Sequence, residues 1–495
     1  MTTRAGQPVI AIVGGGIAGL AAAFFLRDSG AAVTVLEGSP RLGGKLAVSE
    51  VAGVAVDEGA EALLARRPEG TDLIGAAGLG GQLVRPGTTA AGIWTRGELH
   101  PLPRRQFMGV PADTGELGRS GILSAAGLAQ AQTEADLPAT ARSGDISVAS
   151  YVGARFGQEL VDRLVDPLLG GVYAGRSDQL SFEATLPALA QAAQRHRSLA
   201  AAARSLLPEP GPPAERTAAP PAGDRPSGGR GGPGGSPVFT TLAGGLGTLP
   251  AAVAARSGAE VRTAAMTREL TRTATGWRLT IGSARSPELL DADAVVLALP
   301  ARPASRLLAA ASPAAAAALG EIGYASMAVV TLAYPQAAFP SLPQGSGYLV
   351  PAVDGHAVKA VTFSSVKWPH LQTEGQLVLV RCSVGRVGEE AVLQRDDREL
   401  TAIAGADLAA ASGVTGAPVA SRVSRWGGGL PQYTVGHLDR VARIRAAVAG
   451  QPGLAVCGAA YDGIGIPACI ATARLAATQV RTYLESRQKS VSRPG

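Results

Sequence analysis

The part of this chain that most restricts its fold is residues 9–37, which combine a strand, a glycine-rich turn, a helix and a second strand. Val9–Val13 and Ala32–Leu36 are short apolar runs rich in β-branched residues, with the length of buried strands. The Ala- and Leu-rich residues 17–27 between them predict a helix. Such a βαβ unit predicts a parallel sheet in an α/β fold.

The first turn of this unit contains three spaced glycines. Gly14, Gly16 and Gly19 have G-x-G-x-x-G spacing, and Glu37 follows Gly16 by 21 positions. In dinucleotide-binding units these glycines allow a tight turn, close approach of a pyrophosphate and close helix packing, while an acid binds the ribose. The phosphates lie at the helix N-terminus. The predicted binding residues here are Gly14, Gly15, Gly16, Ala18, Gly19 and Glu37.

The same segment has a competing interpretation. Residues 9–26 carry no charge and follow Arg4, a pattern that a signal peptide or a marginal membrane span also shows. Three consecutive glycines weaken a helix at this point, and the second strand with its acid follows at the spacing of a dinucleotide site. We therefore predict no integral membrane span and a cytoplasmic protein, either free or peripheral to a membrane.

Composition restricts the class of function further. The net charge is +6 and the pI is about 9.5, with the cations spread along the chain, which opposes nucleic-acid binding and suits a small acidic substrate. Cys382, Cys457 and Cys469 have neither metal-ligand spacing nor an even number. We predict no metal site, and we expect His370 and His437 to be structural hydrogen-bonding residues.

Glu37 also begins a second motif, E-x-x-x-R-x-G-G-K, which Arg41, Gly43, Gly44 and Lys45 complete. The motif resembles the FAD-binding extension of the flavin amine oxidase and protoporphyrinogen oxidase superfamily. The resemblance implies FAD as the cofactor, with Arg41 and Lys45 pairing with its pyrophosphate. It also implies that residues 59–62 pass over the flavin and that the backbone near residue 261 meets the adenine.

Longer motifs narrow this resemblance. Residues 166–175 read D-P-L-L-G-G-V-Y-A-G, residues 426–437 read W-x-x-x-L-P-Q-Y-x-V-G-H, and residues 463–470 read G-I-G-I-P-A-C-I. Together these resemble coproporphyrinogen and protoporphyrinogen oxidases, and K-W-P-H with V-R-C-S-V-G-R is most similar to the Gram-positive coproporphyrinogen III oxidase branch. The resemblance implies ten further FAD-binding residues. They are Gly38, Gly59, Ala60, Glu61, Ala62, Val261, Trp426, Ile464, Gly465 and Ile466.

The resemblance implies an α/β fold with three parts. These are a Rossmann-like FAD-binding domain of the flavin amine oxidase/p-hydroxybenzoate hydroxylase type, an antiparallel-sheet substrate domain and a helical subdomain. The predicted segments are FAD-binding residues 1–85, 238–300 and 441–488, helical residues 86–206, a disordered Pro/Gly-rich insertion at 207–237, substrate-sheet residues 301–440 and a tail at 489–495.

The implied reaction is the six-electron oxidation of coproporphyrinogen III to coproporphyrin III in haem biosynthesis. Dioxygen is the implied acceptor, hydrogen peroxide the product, and transient contact with the next pathway enzyme is expected. Hydride transfer needs orientation and a dry pocket, so we predict no catalytic acid–base residue. Cations suit the substrate carboxylates. The candidates are Arg66, Arg67, Lys367, Arg381 and Arg386.

Other interpretations stay open at this point. A protoporphyrinogen IX oxidase, another flavin amine oxidase-type enzyme or a carotenoid desaturase shares the N-terminal pattern. A remote alternative is a non-enzymatic carrier similar to the escort proteins of prenylated GTPases. Covalent flavin attachment at Cys457 or Cys469 is also conceivable, but both lie in apolar segments, which favours a role in the core.

Overall fold

The computed structural model describes residues 7–139, 144–208, 238–372 and 377–491. Apart from Leu207 and Pro208, the predicted insertion at 207–237 lies outside the described residues. Among the residues that are described, no helix combines the length and the apolar composition that a membrane span requires.

The strands, in chain order, are β1 (Val9–Val13), β2 (Ala32–Leu36), β3 (Val48–Val51), β4 (Val54–Asp57), β5 (Leu63–Leu64), β6 (Leu83–Val84), β7 (Gly92–Thr95), β8 (Glu98–Pro101), β9 (Gln106–Phe107), β10 (Val110–Pro111), β11 (Phe239–Leu242), β12 (Glu260–Arg262), β13 (Thr267–Arg272), β14 (Trp277–Ser283), β15 (Ser286–Ala292), β16 (Ala294–Leu297), β17 (Tyr324–Pro335), β18 (Gly347–Leu349), β19 (Val358–Phe363), β20 (Leu377–Val384), β21 (Ala420–Pro431) and β22 (Leu454–Val456).

The α-helices, in chain order, are α1 (Ile17–Leu26), α2 (Pro68–Ala76), α3 (Thr114–Ser120), α4 (Ala125–Gln132), α5 (Val148–Phe156), α6 (Gln158–Leu160), α7 (Asp166–Tyr173), α8 (Phe182–Thr185), α9 (Pro187–Ala193), α10 (Leu199–Ser205), α11 (Leu249–Ser257), α12 (Ala301–Leu308), α13 (Pro313–Gly320), α14 (Ser364–Lys367), α15 (Asp397–Ser412), α16 (His437–Ala449) and α17 (Ile466–Val491).

A five-stranded parallel sheet has the strand order β12-β2-β1-β16-β22. Its strands come from three separated parts of the sequence, and its central strand, β1, pairs with β2 and β16. Strands covered on both faces are apolar throughout, and β1 is buried except at Val9. The predicted βαβ unit is confirmed, and the sheet that receives it is the predicted Rossmann-like core.

Helix α1 lies against this sheet between α11 and α17. It is apolar around its whole circumference, as expected for a helix buried on all sides. The runs of small Ala side chains at positions 21–23 are fully buried and allow neighbouring helices to approach closely. The N-terminus of α1 is therefore fixed at the end of β1.

A seven-stranded sheet has the order β21-β17-β20-β19-β18-β7-β8. Its pairs are antiparallel, as predicted, except that β18 pairs in parallel with β7. The hairpin β7–β8 lies within residues 86–206, which the sequence assigns to the helical part. It joins this sheet because residues 92 and 93 pair with Tyr348 and Leu349, a contact across about 250 residues of chain that no local pattern indicates.

The helical part packs around its own apolar core, formed mainly by residues from α3 to α10. Near its centre the backbone forms a π-helical turn at Val161–Val165, directly before α7. Such turns occur often at functional sites. Tyr433, which follows β21, belongs to the same core and joins the helical part to the seven-stranded sheet.

Candidate functional site

The glycine-rich turn between β1 and α1 has space on one side only. A Cβ on Gly14 would collide with the carbonyl of Ala298, and one on Gly19 would collide with the carbonyl of Gly14. A Cβ on Gly16 would meet nothing within 4 Å, although Gly16 lies at the first turn of α1. This open position in front of free helix N–H groups is the space that a pyrophosphate requires.

Glu37 lies beside this turn. One carboxylate oxygen accepts from the N–H of Gly15 at 2.7 Å, and the other accepts from the N–H of Ser39 at 2.8 Å. These bonds fix the carboxylate at the end of β2, and each oxygen keeps a second lone pair for a hydroxyl donor. Val261, on the neighbouring edge strand β12, pairs with Val35, and Gly38 packs against Met266.

The E-x-x-x-R-x-G-G-K turn packs on the same glycines. Gly43 forms a parallel bridge with Gly16 and donates from its N–H to the carbonyl of Gly15 at 2.9 Å. The Arg41 guanidinium donates to the carbonyls of Leu42 and Gly44, at 3.3 and 2.8 Å. Arg41 therefore shapes this turn in addition to its predicted pairing with pyrophosphate.

Lys45 is the other predicted pyrophosphate partner. Burial lowers the pKa of its ammonium, and the nearby Cys469 thiol opposes that shift. A buried ammonium is costly unless an anion accompanies it, and a phosphate is such an anion.

The segment after β4 crosses from this turn to the seven-stranded sheet. A Cβ on Gly59 would collide with the carbonyl of Lys45 and would also lie close to the Trp426 indole. The indole Nε1 donates to the carbonyl of Glu58 at 3.0 Å. Ala60 is exposed and Ala62 is half-buried, so this segment presents small residues towards open space.

The C-terminal motif closes the arrangement. The Tyr433 hydroxyl donates to the carbonyl of Ala459 at 2.6 Å and accepts from the N–H of Gly463 at 2.8 Å. This ties β21 to the loop before α17. The predicted Ile464 and Gly465 end that loop, and the predicted Ile466 begins the helix. A helix N-terminus at this point favours negative charge in front of it. The loop also reaches α1, because Gly458 approaches Ala18.

Residues 17–481 match the family described as flavin containing amine oxidoreductase. The chain belongs to that family. It is 37% identical to the coproporphyrinogen III oxidase of Mycobacterium tuberculosis, over 96% of this chain and 98% of that protein. It is 31% identical to the coproporphyrinogen III oxidase of Bacillus subtilis, over 97% of this chain and 99% of that protein.

A solved structure gives the same picture. The putative protoporphyrinogen oxidase from Exiguobacterium sp. 255-15 superimposes with a TM-score of 0.81 at 31% identity, over 96% of this chain and 99% of that chain. As a member of the flavin-containing family, the present chain uses FAD. The open space at Gly16, the fixed carboxylate of Glu37 and the half-buried side chain of Lys45 fit the pyrophosphate and ribose of FAD.

The structure places the five candidate substrate cations in different surroundings. Lys367 and Arg381 converge on Glu61, with Nζ and Nη1 at 2.6 and 2.5 Å from its two carboxylate oxygens. Burial alone would raise the pKa of Glu61, but the two cations outweigh burial and hold that pKa well below its usual range. Glu61 therefore links the segment at 59–62 to the substrate sheet.

The other three cations lie apart from this cluster. Arg386 is buried, with its guanidinium donating to the carbonyls of Val350 and His356 and to Glu389. Arg67 forms an exposed ion pair with Glu69 at 2.8 Å. Arg66 is exposed and forms no hydrogen bond or ion pair with the described residues.

The cysteines and histidines have core positions. Cys457 and Cys469 are buried in the apolar core around α1, and burial raises the pKa of both thiols, that of Cys469 to about 11. His437 stacks on Tyr433, and its Nε2 lies 3.1 Å from the carbonyl of Tyr461. In the described part of the chain, no group of three His, Cys, Asp or Glu residues is arranged to hold a metal ion.

Two contacts at the site have no counterpart among the predicted residues. Gln432 donates from Nε2 to the carbonyl of Tyr173 at 2.8 Å, and the Tyr173 and Tyr433 rings lie 5.7 Å apart. Asp57 accepts from the N–H groups of Leu246 and Gly247, both at 3.0 Å. The L-P-Q-Y motif in the sequence could have indicated the contact of Gln432. The contact of Asp57 with residues 246 and 247 joins distant parts of the chain, and only the folded structure reveals it.

Proposed function

We propose that this chain oxidises coproporphyrinogen III to coproporphyrin III, removing six electrons and six protons, with dioxygen as the acceptor. Three dioxygen molecules then give three hydrogen peroxide molecules. Two coproporphyrinogen III oxidases support this proposal, because each matches the present chain over almost the whole length of both proteins.

The structural observation that carries the proposal is the contact between three motifs. Residues 166–175 contact Gln432, and Tyr433 holds the loop at residue 463 through its hydroxyl. Half-buried apolar side chains lie at the edge of this contact. They are Leu168, Leu349 and Ile464. The apolar macrocycle of the substrate, placed against them, would face the proposed flavin loop on one side.

Bound FAD would supply a two-electron acceptor at this site, and Gly16, Glu37 and Lys45 would hold its pyrophosphate and ribose. The residues of the chain orient the macrocycle and exclude water, since no general acid or base is required at the carbon that gives up hydride. Tyr433 is buried, and two hydrogen bonds through its hydroxyl fix the loop from Ala459 to Gly463 beside the proposed pocket. Burial raises the pKa of this phenol, so it stays protonated and keeps its donor.

The carboxylates of the substrate call for cations within reach. We propose Arg66 as a direct partner, because its guanidinium is exposed and free of ion pairs with described residues. Lys367 and Arg381 share the Glu61 carboxylate, and Asp57 lies beside them, so their charges are balanced within the protein and they add little. Arg67 and Arg386 already face Glu69 and Glu389, which reduces what each adds.

A fluorescence assay with purified, FAD-loaded protein tests the proposal. Coproporphyrinogen III and protoporphyrinogen IX are offered separately, and hydrogen peroxide is measured together with porphyrin. We expect faster turnover of coproporphyrinogen III and about three peroxides per porphyrin, as the electron balance requires. Fluorescence growth at the non-enzymatic rate with both substrates would refute the proposal.

A second candidate is oxidation of protoporphyrinogen IX. The specific observation in its favour is the solved structure named as a putative protoporphyrinogen oxidase, with its TM-score of 0.81. Faster turnover of the dicarboxylate in the same assay would select this candidate. The proposal also includes a cytoplasmic location, either free or peripheral to a membrane, and transient contact with the enzyme that takes up the porphyrin.

A further inference from the structure

A cavity of about 20 Å³ lies between the segment after β4 and the seven-stranded sheet. Its wall includes Asp57 and Glu61 on one side, Arg381 on another, and Trp368 and His370 on a third. A cavity of this size has room for one water molecule, provided that two to four polar partners surround it.

Three buried polar atoms of the residues around this cavity have no hydrogen-bond partner among the described residues. They are Trp368 Nε1, Arg381 Nε and His370 Nδ1. Trp368 is 1% exposed and Arg381 is 9% exposed, so bulk water does not satisfy them. Leaving a buried polar atom without a partner is costly, and three such atoms around one small space indicate a partner that bonds to all of them.

The partner's hydrogen-bonding pattern follows from these atoms. The indole and guanidinium nitrogens only donate. Burial lowers the pKa of His370, so its ring is neutral and its Nδ1 accepts when Nε2 carries the proton. Each Asp57 oxygen accepts one backbone N–H and retains a lone pair. The space thus offers two donors and two acceptors.

The charge of the partner is also restricted. Asp57 and Glu61 balance Lys367 and Arg381, so the four side chains are neutral together when all are ionised. Glu61 is already bonded to both cations, at 2.5–2.6 Å. An added anion or cation would leave an uncompensated buried charge, which costs far more than an added neutral molecule.

We propose that this cavity binds one structural water molecule, which accepts from Arg381 Nε and Trp368 Nε1 and donates to Asp57 and His370 Nδ1. The water connects the segment at 57–61 to β20 and to the turn after α14. It completes the polar contact through which the substrate sheet positions the residues next to the flavin.

A crystal structure of the FAD-loaded protein, at a resolution that shows ordered water, tests this directly. We expect one density peak within about 2.7–3.2 Å of both Arg381 Nε and Trp368 Nε1. An empty cavity, or a cavity closed by a rotated side chain, would overturn the proposal.

A pair of matched substitutions tests the same water by stability. Trp368→Phe removes a donor to the water, whereas Trp94→Phe removes an indole Nε1 that is also buried and unpaired but does not line this cavity. We expect the unfolding midpoint of FAD-loaded Trp368→Phe to fall by about 1–2 °C more than that of Trp94→Phe. Equal shifts, or a smaller shift for Trp368→Phe, would count against the water.

Filling the cavity gives a test with the opposite sign. Val56 lines the cavity, and Val51 lies in the same apolar cluster without lining it. If the cavity holds water, Val56→Ile displaces it and lowers the midpoint more than Val51→Ile does. If the cavity is a dry void, the added methyl fills it, and Val56→Ile is the more stable variant, which would overturn the proposal.

Discussion

Two buried ion clusters of this protein differ in how completely their polar atoms are paired. In the helical part, Glu134 and Arg155 are 1% and 3% exposed, and Glu134 also accepts from Ser198 and from the N–H of Leu199. The Arg155 guanidinium donates in addition to the carbonyls of Pro138 and Arg197. No buried side-chain atom of this pair lacks a partner within the described residues.

The cluster at the cofactor boundary is less complete. Glu61 holds Lys367 and Arg381, but Arg381 Nε remains unpaired beside a cavity. Burial raises the pKa of the neighbouring Asp57 to about 6, although N–H groups of Leu246 and Gly247 oppose that shift. The first cluster is paired within one part of the fold, whereas the second joins the segment at 57–61 to the seven-stranded sheet and lies beside the proposed water site.

The largest expected effect concerns the most open position near the cofactor. Gly16 has φ −75° and ψ 176°, which any residue adopts, and nothing occupies the place of its Cβ. We expect Gly16→Val to fold but to lose FAD, because the side chain fills the space of the pyrophosphate. Flavin absorbance of the purified protein measures this.

The control for Gly16→Val is Gly75→Val, at a helical position where a Cβ also meets nothing. That variant should keep its full flavin content. A yellow Gly16→Val protein with the same flavin-to-protein ratio as the control would contradict the position assigned to the pyrophosphate.

A similarly strong effect, on stability, is expected in the completely paired cluster. Arg155→Met keeps most of the side-chain volume but leaves Glu134 ionised and buried without its cation. The expected loss is about 3–5 kcal/mol of the free energy of unfolding. Denaturant unfolding measures it, with Arg195→Met at an exposed site as the control. A loss equal to that of the control would show that the ion pair is not important for stability.

The sequence predicted what local patterns determine. The strands β1 and β2, helix α1 and the hairpin β7–β8 follow from periodicity and glycine spacing over a few residues each. It did not predict that the hairpin joins β18, or that Glu61 meets Lys367 and Arg381 across 306 and 320 positions. The motif resemblance assigned Glu61 to the cofactor, and charge matching assigned the cations to the substrate, whereas the structure brings all three together.

An intermediate effect is expected in the boundary cluster. Glu61→Gln removes the anion from between two cations, but the site is partly exposed, with side-chain exposures of 10–18%. We expect a loss of about 1–3 kcal/mol at neutral pH, smaller than for Arg155→Met. Equal losses in the two clusters would remove the distinction drawn between them.

The pH dependence of Glu61→Gln adds a second measurement. Because the pKa of Glu61 is held below its usual value in the folded protein, its stabilisation is complete above about pH 4.5. It is lost as pH falls further, since the unfolded chain takes up the proton first. The difference in stability between wild type and variant should therefore narrow in acid. A difference that widens below about pH 4.5 would contradict the assignment.

The smallest expected effect concerns Arg66, a cation that has no partner among the residues that the structure describes. Coproporphyrinogen III carries four carboxylates and protoporphyrinogen IX carries two, so a free guanidinium has more to pair with in the first. Arg66→Gln should raise KM for the tetracarboxylate by up to about tenfold, which corresponds to roughly 1.4 kcal/mol for a charge-assisted contact. Its effect on the dicarboxylate should be smaller. Steady-state kinetics with both substrates measures the ratio.

The matched control is Arg67→Gln, because the Arg67 guanidinium already forms a pair with Glu69 at 2.8 Å. An arginine whose charge is balanced within the protein attracts a substrate carboxylate less, so this neighbouring substitution should change the ratio of KM values little. If both variants changed both KM values equally, pairing within the protein would not determine which cations serve the substrate. The substrate preference would then have to arise from the shape of the apolar pocket.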